Sequence, residues 1–218
     1  MPVALFDLDN TLIAGDSDHT WGQFLADTER VDPIQHKINN DKFFADYVKG
    51  DLNIHAYLDF SLGILAKIPM DELKAIREDF LKRRIAPMQL PKAHSLLQKH
   101  RDAGDDLIVI TSTNRFIAQP ICNMLGVSNL LATELATKDG MFTGKVLGVP
   151  AYGKGKIVHS NAWLDKNKKT LKHSSFYTDS INDLPLLLEV DNPIAVDPDD
   201  ALLSEAKKRG WDVISLRD

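Results

Sequence analysis

Two aspartates separated by one residue, Asp7 and Asp9, follow directly on the apolar run Val3-Ala4-Leu5-Phe6, and no lysine or arginine occurs before Arg30. Apolar runs of this kind are short strands covered on both faces. Two more end in polar clusters: Leu107 to Ile110 in Thr111-Ser112-Thr113-Asn114, and Ser175 to Thr178 in Asp179-Ser180-Ile181-Asn182-Asp183. Open α/β sheets bind ligands beyond the carboxyl ends of their strands, so three such endings can converge on one site. Four carboxylates meeting there, from Asp7, Asp9, Asp179 and Asp183, would repel one another unless a hard cation with oxygen ligands sat among them. Mg²⁺ fits that donor set better than Zn²⁺, because the chain has no paired Cys or His spacing. The seven histidines are scattered and are expected at the surface or in the core.

An acidic pocket holding Mg²⁺ is most useful for handling phosphate. One carboxylate can attack phosphorus and form an acyl phosphate, which divides one hard displacement into two easier ones. A second can protonate the departing alkoxide and then deprotonate the hydrolytic water. On this reading Asp7 is the nucleophile and Asp9 the proton shuttle. The transferring phosphoryl group also needs fixed donors, which Thr111 Oγ, the backbone N–H of Ser112 and one lysine can supply. Lys154, at the start of a predicted helix, is the first candidate and Lys156 the second; Asn182 is a further candidate for contact with substrate.

The elements that must position these groups fall into two patterns. From Ile13 to about Pro87 only helical spacing is found: Tyr57, Leu58, Ser61, Leu62 and Leu65 share one face, and Leu73, Ile76, Phe80 and Leu81 another. After Pro87, helices alternate with short apolar runs, the pattern of a parallel sheet. Helices are predicted over 92–103 and 115–125, each closed by a glycine, and over about 154–165. Strands are predicted over 107–110, 175–178, 194–196 and 213–216, and the stretch from Leu130 to Val146 as a hairpin turning at Asp139-Gly140. The first strand belongs with this second group. The expected fold is therefore α/β, a doubly wound (Rossmannoid) parallel sheet formed by residues 1–15 and 88–218, with a helical-bundle cap of residues 16–87 inserted after the first strand.

Composition sets the outer bounds. The chain has 218 residues, 44% hydrophobic and 26% charged, enough for one sizeable core plus an insert. A formal net charge of -5 argues against a nucleic-acid surface. The cluster Lys166, Lys168, Lys169 and Lys172 reads as a solvated helix end. The single cysteine, Cys122, lies among apolar neighbours and is expected in the core of a protein from a reducing compartment. No run approaches the length that spans a bilayer, and the cytoplasm is the expected location. The oligomeric state leaves no trace in the sequence.

The motifs as a set resemble those of the haloacid dehalogenase superfamily. "DLDNTL" is similar to its Asp-x-Asp-x-Thr signature, "VITS" to its second motif, "GKGKI" to its lysine motif and "YTDSINDLPLL" to its acidic metal motif, in that order. The helical insert and the tail from Asn192 to Ile214 resemble the IB branch, which includes phosphoserine and histidinol phosphatases. The resemblance implies a Mg²⁺-dependent phosphatase acting through an aspartyl-phosphate on a small phosphorylated metabolite. It makes Asp7 nucleophile and metal ligand, Asp9 acid/base and metal ligand through its carbonyl, Thr111 and Lys154 phosphoryl-binding, Asp179 a metal ligand and Asp183 a neighbour of the metal. Thr178 departs from the pattern, where a small residue usually precedes the aspartate.

Asp16 matches the position of a glutamate that contacts the substrate ammonium in phosphoserine phosphatases, although it could equally cap the first inserted helix. The basic run that pairs with the serine carboxylate in those enzymes is replaced here by Leu58-Asp59-Phe60-Ser61. Acids at Asp16 and Asp59 without a matching arginine favour a cationic substrate lacking a carboxylate, and histidinol phosphate is such a molecule. The alternatives are phosphoserine, a promiscuous phosphatase, a phosphotransferase, or a receiver module that holds phosphate once; the last lacks a helical insert and carries its acceptor on a later strand.

Overall fold

Residue types that alternate between two faces form the sheet. In the computed structural model, which describes residues 2–217, β1 (Val3–Phe6) sends Val3 and Leu5 into one hydrophobic cluster and Ala4 and Phe6 into another. β2 (Asp106–Asn114) divides in the same way, Ile108 and Ile110 from Val109. With β3 (Asn129–Thr133), β6 (Ser175–Thr178), β7 (Asn192–Val196) and β8 (Asp212–Ile214) these strands form a six-stranded sheet in the order β3-β2-β1-β6-β7-β8. All its pairs are parallel. The chain moves outward from β1 through β2 to β3, then returns to the other side of β1 at β6. That reversal is the switch point at which a doubly wound sheet opens a crevice.

Helices cover both faces. Residues of α5 (Pro91–Asp102) and α6 (Arg115–Met124) join the cluster containing Phe6, while α7 (Lys154–Asn167), the short α8 (Leu184–Leu187) and α9 (Asp200–Arg209) cover the other face through Leu164, Leu186, Leu187, Leu202 and Ala206. The fold class expected from the sequence is the one found. One element differs: the predicted hairpin from Leu130 to Val146 begins with β3, which pairs with β2 in the main sheet, and only β4 (Leu135–Lys138) and β5 (Met141–Val146) form the two-stranded ribbon, turning at Asp139-Gly140. Two apolar runs separated by one acid, Glu134, look continuous in a one-dimensional pattern.

Between β1 and α5 lie four helices, α1 (Ser17–Asp27), α2 (Pro33–Val48), α3 (Ile54–Leu65) and α4 (Met70–Phe80), the last continued by a π turn over 81–85 and a 3-10 turn over 86–88. Leu58, Leu62, Leu65, Leu73, Ile76 and Phe80 are buried, as their helical spacing predicts. Trp21 of α1 meets Phe80 edge-on at 5.1 Å and Phe116 of α6 at 6.3 Å, so this part of the insert shares its hydrophobic cluster with the sheet. The chain enters and leaves the insert side by side, with Ile13 bridged to Gln89 and the Ala14 N–H donating to the Met88 carbonyl.

The start of α7 is the tightest backbone approach in the core. A Cβ at Gly155 would lie 1.9 Å from the Pro150 carbonyl oxygen, whereas one at Gly63, within α3, would meet nothing within 4 Å. Gly155→Ala should therefore cost about 1–3 kcal/mol and lower Tm by roughly 2–12 °C. Gly63→Ala should raise stability by about 0.5–1 kcal/mol. Thermal unfolding followed by circular dichroism checks both, and equal, small shifts would contradict the crowding at Pro150.

Candidate active site

The first turn after β1 is built to present carboxylates. The Asp7 N–H continues the sheet by donating to the Tyr177 carbonyl at 2.8 Å, after which Asn10 takes a left-handed conformation (φ 55°), a region that Asn enters at low cost. The chain then doubles back, with the Asn10 N–H on the Gly15 carbonyl at 2.9 Å. This tight reversal brings α1 against Asp9. The Ser17 N–H donates to Asp9 Oδ1 at 2.7 Å, while Thr113 and Thr111 hydroxyls donate to Oδ2 at 2.8 and 3.2 Å. Thr113, named in the sequence only as a member of its polar cluster, is thus the nearer threonine partner of Asp9, placed by the alternation of β2.

Asp7 and Asp183 are joined by a buried lysine. Lys156 Nζ lies 2.7 Å from Asp7 Oδ1 and 2.7 Å from Asp183 Oδ2, and all three side chains are at most 5% exposed. Burial opposes the ammonium charge, yet Asp183 and Asp7 together carry its pKa above the ordinary lysine value. Burial pushes Asp7 up to about 7, against the pull of Lys156 and with Asp183 and Asp9 adding to the rise. The sequence choice of Lys154 is corrected here: Lys154 is exposed at the first position of α7. Two residues along a helix turn the side chain through about 200°, so only one lysine of "KGK" can face the strand ends.

Thr178, the departure noted in the motif, donates its hydroxyl to Asp183 Oδ2 at 2.6 Å and accepts the Ser180 N–H. Asp183 stands at the N-cap position of α8 but makes no capping bond; its carboxylate goes to the lysine instead. Asp179 has a weak partner, Thr11 Oγ1 at 3.3 Å. Burial and the charges of Asp7 and Asp183 push its pKa well above the usual carboxylate range. Lys156 engages one oxygen of Asp7 and one of Asp183, which leaves the Asp179 side of the cluster with surplus negative charge. Among the described residues no three acidic, His or Cys side chains form a preassembled metal cage. An oxygen set with one or two carboxylates suits Mg²⁺, which keeps several waters and takes phosphate oxygens as further ligands.

Above the carboxylates a cleft lies between sheet and insert. Asp7, Asp9, Thr111, Ser112 and Thr113 form its floor. Its walls come from the insert: Asp16, Asp18, His19 and Asn40, with the rings of Phe43, Phe44, Tyr47 and Tyr57, and Tyr152 from the core. Asp16 both caps α1, accepting the His19 N–H at 2.7 Å, and lines the cleft; burial and the charge of Asp9 hold its pKa well above the usual range. Burial lowers the pKa of His19, which disfavours a positive charge on its ring. No lysine or arginine is among the lining residues.

Two sequence candidates lie elsewhere. Asp59 is exposed on the outer side of α3 and pairs with Lys145 of β5 at 2.9 Å. Asn182 is off the cleft wall, its amide donating to the Tyr47 carbonyl at 3.1 Å and accepting the Tyr152 hydroxyl at 3.2 Å. It joins the loop after β6 to the end of α2. Cys122 is fully buried in α6, and burial pushes its thiol up to about 12.

A doubly wound sheet whose first strand delivers an Asp-x-Asp pair to a lysine-bridged acidic cluster defines a phosphoryl-handling hydrolase. The chain belongs to the haloacid dehalogenase-like hydrolase family, whose model matches residues 4–188, and it is one of the family's phosphatases. It is 43% identical, over 99% of both chains, to a histidinol-phosphatase of Neisseria meningitidis serogroup C. It is 31% identical over 98% of its length to the phosphoserine phosphatase SerB1 of Mycobacterium tuberculosis, covering 70% of that protein. Among solved structures, a protein of unknown function from Bordetella pertussis superposes with a TM-score of 0.93 at 40% identity, covering 99% of this chain and 98% of that one. A substrate-bound phosphoserine phosphatase shares the fold at a TM-score of 0.70 and 19% identity, covering 99% and 93%. No helix among the described residues is long and apolar enough to cross a membrane.

The two lysines give a direct test of this geometry. Lys156→Met should lower hydrolysis of p-nitrophenyl phosphate by about 10²–10³-fold, the loss of one fixed positive donor at the reacting group. Lys154→Ala should change it less than about threefold, as expected of a solvated lysine. Initial rates of the two variants, read beside their melting curves, check both, and the opposite ranking would overturn the placement.

Proposed function

We propose that the chain is a Mg²⁺-dependent phosphomonoester hydrolase that works through phosphorylated Asp7, with histidinol phosphate as its best substrate. The observation that carries the substrate choice is the cleft wall, which presents Asp16 and Asp18 and no lysine or arginine. A phosphate ester with a carboxylate, such as phosphoserine, finds no counter-charge there, whereas one with an amine and a basic ring finds two acids. The 43% identical relative named histidinol-phosphatase supports the same reading.

In the first half-reaction a carboxylate oxygen of Asp7 bonds to phosphorus as the bond from phosphorus to the substrate oxygen breaks. Asp9 gives its proton to that departing oxygen, and the alcohol leaves. In the second, Asp9 takes a proton from water as the water oxygen bonds to phosphorus and the Asp7 oxygen is released, giving inorganic phosphate. Lys156 holds Asp7 in place from one side and supplies positive charge beside the phosphoryl group, with Thr111 and the Ser112 N–H as further donors. Asp7, the Asp9 carbonyl and Asp179 would hold Mg²⁺, with Asp183 behind them; when bound, the ion supplies the positive charge that offsets the phosphoryl oxygens. The insert acts as a cap that keeps the site small and closed.

Phosphate release from histidinol phosphate, phosphoserine, a sugar phosphate and p-nitrophenyl phosphate tests the proposal. Histidinol phosphate should give the highest kcat/KM, chelation should abolish turnover and Mg²⁺ restore it. Asp9→Asn should cost about 10²–10⁴-fold in kcat, and Asp7→Asn should leave no burst of phosphoenzyme. Comparable or better turnover of phosphoserine would overturn the substrate; metal-independent turnover, or full activity of Asp7→Asn, would overturn the mechanism.

A further inference from the structure

Asp18 is placed oddly for an acid in the first turn of a helix. Such a side chain ordinarily serves the free N–H groups of its own helix end. In α1 that task falls to Asp16, and Asp18 Oδ2 instead accepts the hydroxyl of Tyr57, 39 residues on in α3, at 2.7 Å. Phenol to carboxylate is a strong, charge-assisted contact that fixes the carboxylate against the cleft wall while leaving it acceptor capacity. Both residues line the cleft.

Aromatic rings flank this pair. Phe43 meets Tyr57 edge-on at 5.5 Å, and Phe44 stacks on His19 at 4.3 Å. Asn40 locks His19 from behind, donating to its Nδ1 at 3.1 Å and to its carbonyl at 2.8 Å. Burial pushes Asp18 up to about 6 in spite of the Tyr57 bond. This half-buried carboxylate has the Tyr57 hydroxyl as its partner but no cation, since none of the cleft-lining side chains is a lysine or arginine. Rings beside a carboxylate make a slot for a flat, weakly hydrated cation.

We infer that Asp18, held by Tyr57, is a specificity-determining residue that takes the protonated ring of the substrate, while Asp16 takes its amine. This deepens the proposed function and rests on it. The cleft then selects phosphate esters that carry two separated basic groups, and an amino alcohol phosphate without the ring fills only one of the two acidic positions.

The experiment compares histidinol phosphate with 2-aminoethyl phosphate, which keeps the amine and lacks the ring, on wild type, Asp18→Asn and Tyr57→Phe. The ratio of their kcat/KM values should fall by about 10- to 100-fold in Asp18→Asn, the worth of one charged hydrogen bond, and mainly through KM. Tyr57→Phe should lower the ratio in the same direction by a smaller factor. Unphosphorylated histidinol should inhibit p-nitrophenyl phosphate hydrolysis competitively in wild type, with Ki rising in Asp18→Asn. An unchanged ratio in Asp18→Asn, or a loss confined to kcat on both esters, would overturn the inference while wild-type turnover kept the proposed function standing. Failure of wild type to hydrolyse either ester would overturn both.

Discussion

The bond pair from Lys156 to Asp7 and Asp183 is the constraint on which the site depends. It ties the end of β1, the loop after β6 and the first turn of α7 into one buried unit. Removing one partner from such a unit leaves an uncompensated buried charge, which typically costs about 3–5 kcal/mol. The surroundings are shaped to keep it. Gly153 opens α7 from a conformation with φ 52°, Gly155 lets the helix pass under Pro150, and Thr178 adds a second bond to the Asp183 oxygen that Lys156 holds. Asp7 thus sits where three separate segments must all be correctly folded.

Much of this was legible in sequence because strands that end in acids are a strong one-dimensional signal. Asp7, Asp9, Asp179 and Asp183 each follow an apolar run, and the sheet brings the runs side by side. Helix phase was the weaker signal. Lys154 and Lys156 differ by two positions in a motif whose exact start decides which one turns inward, and that start depends on the backbone of Gly153. Asn182 sits in the acidic motif but is claimed by a backbone carbonyl of α2, a contact between segments 135 residues apart. Tyr57 read only as part of a helical face and Thr113 only as part of a polar cluster, and Asp18 carried no spacing signal, since their contacts arise only when α1, α3 and β2 meet. Asp59 misled because aligned position in a helix does not give its direction: α3 turns Asp59 outward to Lys145 and Tyr57 inward.

Electrostatics divide the site into two levels. At the floor Lys156 sits between Asp7 and Asp183, and the surplus negative charge lies on the Asp179 side. At the wall, Asp16 and Asp18 are left without a cationic side chain from the protein itself. On the proposed function the floor takes the phosphate and the wall what the phosphate is attached to, so affinity for the two ends is set by different residues on different segments.

The four inserted helices are not equally fastened. α1, α3 and α4 contribute side chains to the hydrophobic cluster that runs on into the sheet, while α2 contributes none and buries just His36 and Asn40. At its far end α2 meets the core loop through the Asn182 bond to the Tyr47 carbonyl, a single hydrogen bond of 3.1 Å. Local opening follows the least buried element. That element is α2, which carries Asn40, Phe43, Phe44 and Tyr47 to the cleft wall. The helix that supplies the largest share of the chamber wall is thus the one the hydrophobic core grips least.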